Sequence, residues 1–459
     1  MSSDAPEGDG ADGAVQQAWQ GFRQQWPDTR SVDLVIPDLV GIARGKRLPI
    51  DDFEGALKGG LSFPSSVYAL DTTGCNVDAS GLVWEEGDAD RPVLIDPSSF
   101  RPVSWQAQGA QAFGSLLGHD GTPFFADPRS ALKRVIERLA DDLGVKPVVA
   151  LELEFYLLAP RSERDGRARM RRSDLGDEAA VQVYNLDALD HEHQFFSILD
   201  QYCAEQAIPA KAASAEYASG QFEVNLGHVD QALLAADHGF MLKRAVKAAA
   251  REAGARATFM AKPFAEQAAN GLHIHVSLVD QDQQNLFATD EQKLRHAIGG
   301  LQATMAEAML IFAPNANSFR RLKPRSYAPV ASTWGYNNRT VALRIPAGRA
   351  SSRRIEHRVA GADANPYLAL AAVLAGLHHG LVNEIDPGEP IAGNAYEKVA
   401  PDLPISWDRA LDRMISAELL PEYLGADLCR LYHVCRLAER DRYHDVVPPL
   451  DYSWYQHNV

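Results

Sequence analysis

Four stretches of the chain alternate between apolar and polar residues with the two-residue period of a half-buried strand. Residues 148–158 read VVALELEFYLL, so Leu151, Leu153, Phe155 and Leu157 point one way and Glu152, Glu154 and Tyr156 the other. Residues 221–226 read QFEVNL, with Phe222, Val224 and Leu226 facing a core and Gln221, Glu223 and Asn225 opposite. Residues 272–280 read LHIHVSLVD and set His273, His275 and Ser277 against an apolar face of Leu272, Ile274, Val276 and Leu278. The fourth, RRIEHRVA at 353–360, places Arg354, Glu356 and Arg358 on one side.

Elsewhere the period is helical. Residues 127–144 (DPRSALKRVIERLADDLG) open with Asp127 as a cap and Pro128 in the first turn, and close at Gly144. Residues 191–207, 230–253 and 406–440 have helical spacing, and 366–382 is apolar on all sides, which predicts a buried helix. Between 31 and 100 short apolar runs separated by turn residues predict strands at 32–36, 39–43 and 92–95. Residues 106–123 are rich in Gly, Ala and Gln and predict a link, with a domain boundary near 120. The small, acidic, Gly-rich start predicts a disordered tail over 1–15. The expectation is an N-terminal domain over 16–120 and a mixed strand-and-helix catalytic domain over 121–459. No internal repeat is visible.

Composition narrows the function. The 459 residues carry a net charge of −16, which argues against a general nucleic-acid binder, because phosphate contacts need a basic surface. Cys75, Cys203, Cys429 and Cys435 form no CxxC pair, so the expected compartment is a reducing cytoplasm. The first residues lack the basic and apolar regions of a signal peptide, and no apolar run is long enough to span a membrane. A GxGxxG match at Gly8, Gly10 and Gly13 has no preceding strand, and the flanking acids would repel a pyrophosphate. The stretch GIARGKR at 41–47 has the wrong spacing for a P-loop.

What remains is acidic chemistry. Paired glutamates on one face of an apolar strand are costly if buried alone. Glu152, Glu154, Glu216, Glu223 and Glu356, with His273, suit hard cations such as Mg2+ or Mn2+, which prefer carboxylate oxygen. Two such ions suit phosphoryl transfer. The segment 317–346 supplies Arg320, Arg321, Lys323, Arg325, Arg339 and Arg344, and arginine forks bind carboxylate and phosphate bidentately.

Six ordered motifs, ELEFYLL, EYASGQFEV, KPF…NGLHIHVS, NSFRRLKP…APV, NRTVALRIP and RRIEHRVAGADANPYLA, resemble those of the glutamine synthetase family from about residue 30 onward. The resemblance implies an α+β chain, with a β-grasp N-terminal domain and a catalytic domain whose antiparallel sheet forms a funnel for ATP and glutamate. It implies homo-oligomeric rings, usually two stacked hexamers. Position by position, Glu154, Glu216 and Glu223 match ligands of a first metal, and Glu152, His273 and Glu356 those of a second. His275 and Ser277 match nucleotide-side positions, with Arg354 near ATP. Arg321 and Arg358 match groups that hold glutamate, as does Gly271 in the segment QAANGLHIH. Arg339 and Arg344 match groups on the transferring phosphoryl.

Two departures stand out. Ammonia-using members carry a glutamate just before the Ala-Pro-Val, where this chain has Tyr327, and an aspartate in an N-terminal Phe-Asp-Gly-Ser-Ser segment, where it has Pro64. Losing both acids while keeping the ligands and arginines implies a changed nucleophile. Tyrosine offers a face to a methylene chain and a cation, as the family's γ-glutamylpolyamine synthetases require. Ammonia use, and an assembly that keeps only the ring, stay open at this point. A milder departure is Ala269, where a second glycine is common; Tyr396 matches a tyrosine that some bacterial members modify, with no regulatory conclusion drawn.

Overall fold

The computed structural model describes residues 9–85, 87–160, 168–171, 182–457 and 459. Six strands build the N-terminal sheet: β1 (Ser31–Pro37), β2 (Ala43–Pro49), β3 (Ser62–Pro64), β4 (Asp90–Ile95), β5 (Arg101–Pro102) and β6 (Gly109–Leu116). Their order is β2-β1-β6-β4-β3, with β5 also on β6. The β1–β2 hairpin is antiparallel, a helix Ile50–Gly59 follows, and β6 returns parallel to β1. That is the β-grasp arrangement. The helix Asp9–Gln25 closes one face by packing Val15, Trp19 and Phe22, spaced by four and three residues, with Phe53 and Phe100.

Three expectations for this region are corrected. Residues 9–15 belong to the first helix rather than to a disordered tail, and Val15 is buried; residues 1–8 lie outside the described residues. Residues 39–42 are not a strand, and β2 begins only at Ala43. Asp38 Oδ1 accepts from the amides of Val40 (3.0 Å) and Ile42 (2.8 Å), and this side-chain turn replaces a strand ladder. Residues 106–123 are not a link, because β6 runs through them and is the strand that pairs with β1, β4 and β5. Its small residues are a packing requirement: a Cβ on Gly114 would lie 2.6 Å from Val93 Cγ1.

Eight strands form the second sheet: β7 (Lys146–Leu158), β8 (Ala210–Ala215), β9 (Gln221–Leu226), β10 (Arg256–Thr258), β11 (Leu272–Val279), β12 (Trp334–Tyr336), β13 (Leu343–Ile345) and β14 (Ile355–His357). The order is β12-β13-β14-β11-β7-β9-β8, with β10 on the end of β7. All pairings are antiparallel except β12 with β13. Leu151, Leu153, Phe155 and Leu157 are fully buried, as the alternation demands.

The apolar face meets three long helices. Pro128–Leu143 is capped by Asp127, which accepts from the amides of Arg129 and Ser130, and ends at Gly144 in the left-handed region. Ala232–Glu252 and the enclosed Pro366–Asn383 complete the layer. The span 406–440 divides into Trp407–Ile415, Leu419–Leu424 and Ala426–His444. The break falls where the buried Glu307 carboxylate captures the amides of Glu418, Leu419 and Leu420.

One apolar core runs through both sheets, from Val35 and Phe113 to Leu151 and Phe240. Arg129 joins them by charge, pairing with Asp237 at 2.9 Å and with Asp96 at 2.7 Å. Asn365 caps the helix Pro366–Asn383 with its side-chain oxygen, while its Nδ2 donates to Asp38 O at 2.9 Å. Among the described residues no helix is long and apolar enough to cross a membrane.

Candidate active site

The register of the second sheet gathers the predicted residues on its polar face. β7 lies between β11 and β9, so Glu152 stands opposite His273 on one side and Asn225 on the other, and Glu154 stands opposite Glu223. β14 brings Glu356 beside His275, and β13 brings Arg344 beside Glu356. Glu216 follows β8 directly, and its amide bonds Gln221 O across the turn to β9.

Short distances join Glu152, Glu223, His273, His275 and Glu356. His273 Nδ1 lies 3.2 Å from Glu152 Oε2, 3.9 Å from Glu223 Oε2 and 4.0 Å from Glu356 Oε1. His275 Nε2 lies 2.9 Å from Glu152 Oε1. Two groups have all their donor atoms within 4.8 Å: Glu152, Glu223 and His273, and Glu152, His275 and Glu356. Glu152 belongs to both. Glu154 and Glu216 lie outside these groups; Glu154 Oε2 accepts from the Gly271 amide at 2.5 Å.

The two histidines are not equivalent. Arg354 Nε donates to His275 Nδ1 at 3.0 Å, which leaves the proton of the neutral ring on Nε2. That buried Nε2 has no aligned hydrogen-bond acceptor despite its closeness to Glu152. His275 therefore turns Nε2 toward Glu152 and the site, and each histidine completes one of the two donor groups.

Charge divides the face. Burial raises the Glu216 carboxyl to about 8, the Glu154 charge adds to it, and Arg339 opposes it. Burial and the charges of Glu152, Glu154 and Glu216 push Glu223 well above the usual range. Burial also works against ionisation of Glu152, but the contacts with His273 and His275 hold it below the usual range. Glu356 is held down to about 2 against burial by Arg358, His273, His275 and Arg344. At the Glu154, Glu216 and Glu223 end, burial and mutual repulsion thus penalise full ionisation in the absence of a cation. Oxygen-liganded divalent cations fit that donor set.

The arginines are partly engaged within the protein. Arg344 Nη1 bonds Glu356 Oε2 at 2.6 Å, Arg358 Nη1 bonds Glu356 Oε1, and Arg344 Nη2 bonds Asn337 at 2.9 Å. The Nε atoms of Arg344 and Arg358 are buried without a partner, which leaves donors for an anion. Buried Arg321 is anchored on the carbonyls of Val359 (2.6 Å) and Arg358 (3.0 Å). A Cβ on Gly271 would lie 3.0 Å from Arg321 Nη2 and 3.2 Å from His273 Nε2, so only glycine leaves that corner open. Arg339 is exposed and acts on Glu216 through its charge. Ser277 is buried on β11, on the face of His273 and His275.

Tyr327 sits in the irregular stretch between Leu322 and Thr333 with φ +57° and is half exposed. Its ring stacks on Tyr217 with centroids 6.1 Å apart and planes at 28°. Pro64 ends β3, opposite Asp90 in the N-terminal sheet.

Four partners escaped sequence reasoning: Tyr217, Asn337, Ser214 (3.5 Å from Glu216 Oε1) and His228, whose ring lies edge-on to His275 at 6.2 Å. Tyr217 and Ser214 flank Glu216 and were detectable only as neighbours of that acid. Nothing in the pattern marks the other two.

A β-grasp domain on a carboxylate- and arginine-lined antiparallel sheet defines a ligase that activates a carboxylate with ATP. Residues 125–455 match the family described as glutamine synthetase, catalytic domain, and the chain belongs to the glutamine synthetase family. Enzymes of this family use ATP and divalent metals. The chain is 38% identical to gamma-glutamylputrescine synthetase PuuA of Escherichia coli, over 97% of this chain and 96% of that protein. It is 31% identical to gamma-glutamylethanolamide synthetase GlnA4 of Streptomyces coelicolor, over 91% and 90%. It superposes on the solved structure of apo GmaS without ligand with a TM-score of 0.82 at 28% identity, covering 95% of this chain and 98% of that one. It is accordingly a glutamate–amine ligase.

Proposed function

We propose that this enzyme joins the γ-carboxylate of glutamate to a primary alkylamine or polyamine of the putrescine class, through γ-glutamyl phosphate, with release of ADP and phosphate. The observation that supports this most is Tyr327 stacked on Tyr217, standing where ammonia-using members carry an acid, beside a carboxylate and arginine set that is otherwise complete. The putrescine and ethanolamine named for the two relatives point the same way.

In this reading Glu154, Glu216 and Glu223 hold one Mg2+ or Mn2+, and Glu152, His273 and Glu356 hold a second. Bound there, the ions neutralise phosphate charge and polarise the transferring group. The protein's own groups do the rest. Arg321 and Arg358 orient glutamate, with Gly271 keeping the corner open. Arg339 and Arg344 offset charge on the phosphoryl oxygens during transfer. His275 donates Nε2–H toward the nucleotide phosphates, with Arg354 fixing its tautomer, and Ser277 lies on the same side. The neutral amine then attacks the acyl carbon from the Tyr327 side, the bond from that carbon to the phosphate oxygen breaks, and the proton shed by nitrogen passes to the departing phosphate. A closed site keeps water from the acyl phosphate.

The N-terminal unit up to about residue 120 and the catalytic unit beyond it form one protomer of a homo-oligomer, which we infer to be a double hexameric ring. ATP as co-substrate and four unpaired cysteines support a cytoplasmic location.

The test is ADP release from glutamate and ATP with putrescine, spermidine, ethanolamine, short monoamines and ammonia. Turnover with the alkylamines well above that with ammonia is expected; turnover with ammonia alone sinks the assignment.

A further inference from the structure

Tyr217 sits in the turn between β8 and β9, directly after Glu216. Its ring is 46% exposed and Tyr327 is 50% exposed, so neither belongs to a core. Half-exposed rings do little for folding, yet Tyr327 is held at φ +57°, a backbone conformation that bulky L-residues avoid. Strain of this kind persists where the surroundings enforce it, and it gathers at ligand sites. The Tyr327 ring stacks on Tyr217.

The pair has defined neighbours on both sides. Tyr217 lies within electrostatic reach of Glu216, at the acidic end of the cluster. Tyr327 lies within reach of Tyr396, which in turn senses Arg321 and Arg358, the arginines placed on glutamate. Tyr396 Oη donates to Ala328 O at 2.9 Å, tying the Tyr327 stretch to the short helix Ala395–Lys398. The stack thus joins the turn that follows Glu216 to the stretch that Tyr396 anchors.

We propose that Tyr217 is a second specificity-determining residue, forming with Tyr327 one aromatic wall that receives the methylene chain and distal ammonium of a diamine. This rests on the alkylamine reading given above. An apolar chain covers ring surface, and a cation is drawn to a ring face by its quadrupole. Ammonia has neither feature, so the wall selects for length and for a second charge. Wall and acids divide the labour: the rings hold the tail, and the Glu216 end of the cluster lies beside the reacting nitrogen.

The experiment compares wild type, Tyr217→Ala, Tyr217→Leu and Tyr217→Phe, measuring KM for putrescine, for a monoamine of equal chain length, and for glutamate. Tyr217→Ala is expected to raise KM for putrescine about tenfold, which is about 1.4 kcal/mol, while KM for glutamate changes less than twofold. Tyr217→Leu retains the chain contact but not the π-face, so it should recover the monoamine more than the diamine. Tyr217→Phe should restore both. An unchanged putrescine KM in Tyr217→Ala overturns the proposal. So does an equal rise in the glutamate KM, or a phenylalanine variant as weak as the alanine one. A wild-type enzyme that uses ammonia and no alkylamine instead overturns the substrate reading, which separates the two failures.

Discussion

Glu152 is common to both groups of candidate ligands, so removing its charge should act in opposite directions with and without metal. In Glu152→Gln the shape is kept and one charge is lost. The donor atoms of Glu152 and Glu223 lie within 4.8 Å of each other. Two unit charges at that separation repel by ~3 kcal/mol at an effective dielectric of about 20. The partly exposed Glu152 and the lost contact with His273 reduce this, leaving a net gain for the metal-free protein of about 1 kcal/mol. With metal the sign reverses. The site of Glu152, His273 and Glu356 loses a donor, and a hundredfold weaker Kd there removes about 2.7 kcal/mol of ligand-linked stability at a fixed, high metal concentration. The assay is thermal unfolding of both proteins, stripped with a chelator and then saturated with MnCl2. It is run above pH 8, where Glu216, raised to about 8, is ionised. The variant should melt above wild type without metal and below it with Mn2+. A variant that melts lower when stripped and still shows the full wild-type Mn2+ shift would refute the idea of a shared, repulsive carboxylate.

Further outcomes follow from the same geometry. Glu216 has its carboxyl raised from 4.5 to about 8 in the folded chain, so between those values the native state holds more protons than the unfolded one. Metal-free stability should then fall as pH rises through that window, and the Mn2+-induced rise in melting temperature should be larger at pH 8 than at pH 6; a shift independent of pH would contradict this. Tyr327→Glu should move the ratio of kcat/KM for ammonia over putrescine upward by about tenfold or more, because it exchanges an aromatic face for an anion that holds a small cation; an unchanged ratio removes Tyr327 from the nucleophile site. Gly271→Ala would place a Cβ 3.0 Å from Arg321 Nη2. It should raise KM for glutamate by about tenfold, with circular dichroism unchanged and KM for ATP less affected.

The strands that carry the chemistry were legible because a two-residue period survives burial of one face: the apolar partners of Glu152, Glu154 and Glu223 are all enclosed. Cross-strand register then brings Glu152 opposite His273 and Glu154 opposite Glu223, which alternation alone permits but does not specify. β6 was illegible because its small residues answer a tight approach of neighbouring strands and imitate linker composition. The turn after Asp38 was hidden because a single side-chain oxygen outweighs a weakly apolar run. The roles of His273 and His275 could not be separated by pattern, since they share a face; the arginine on one ring nitrogen separates them. Tyr217 was passed over because it lies outside any period, in a turn, and gains meaning only from a ring 110 positions away in the chain.

The double engagement of Asn365 bears on how substrates enter. Swinging the N-terminal unit away would break the Asn365–Asp38 bond at the head of the most deeply enclosed helix and the Arg129–Asp96 pair in one movement. Hinging between the units is thereby disfavoured as a gate.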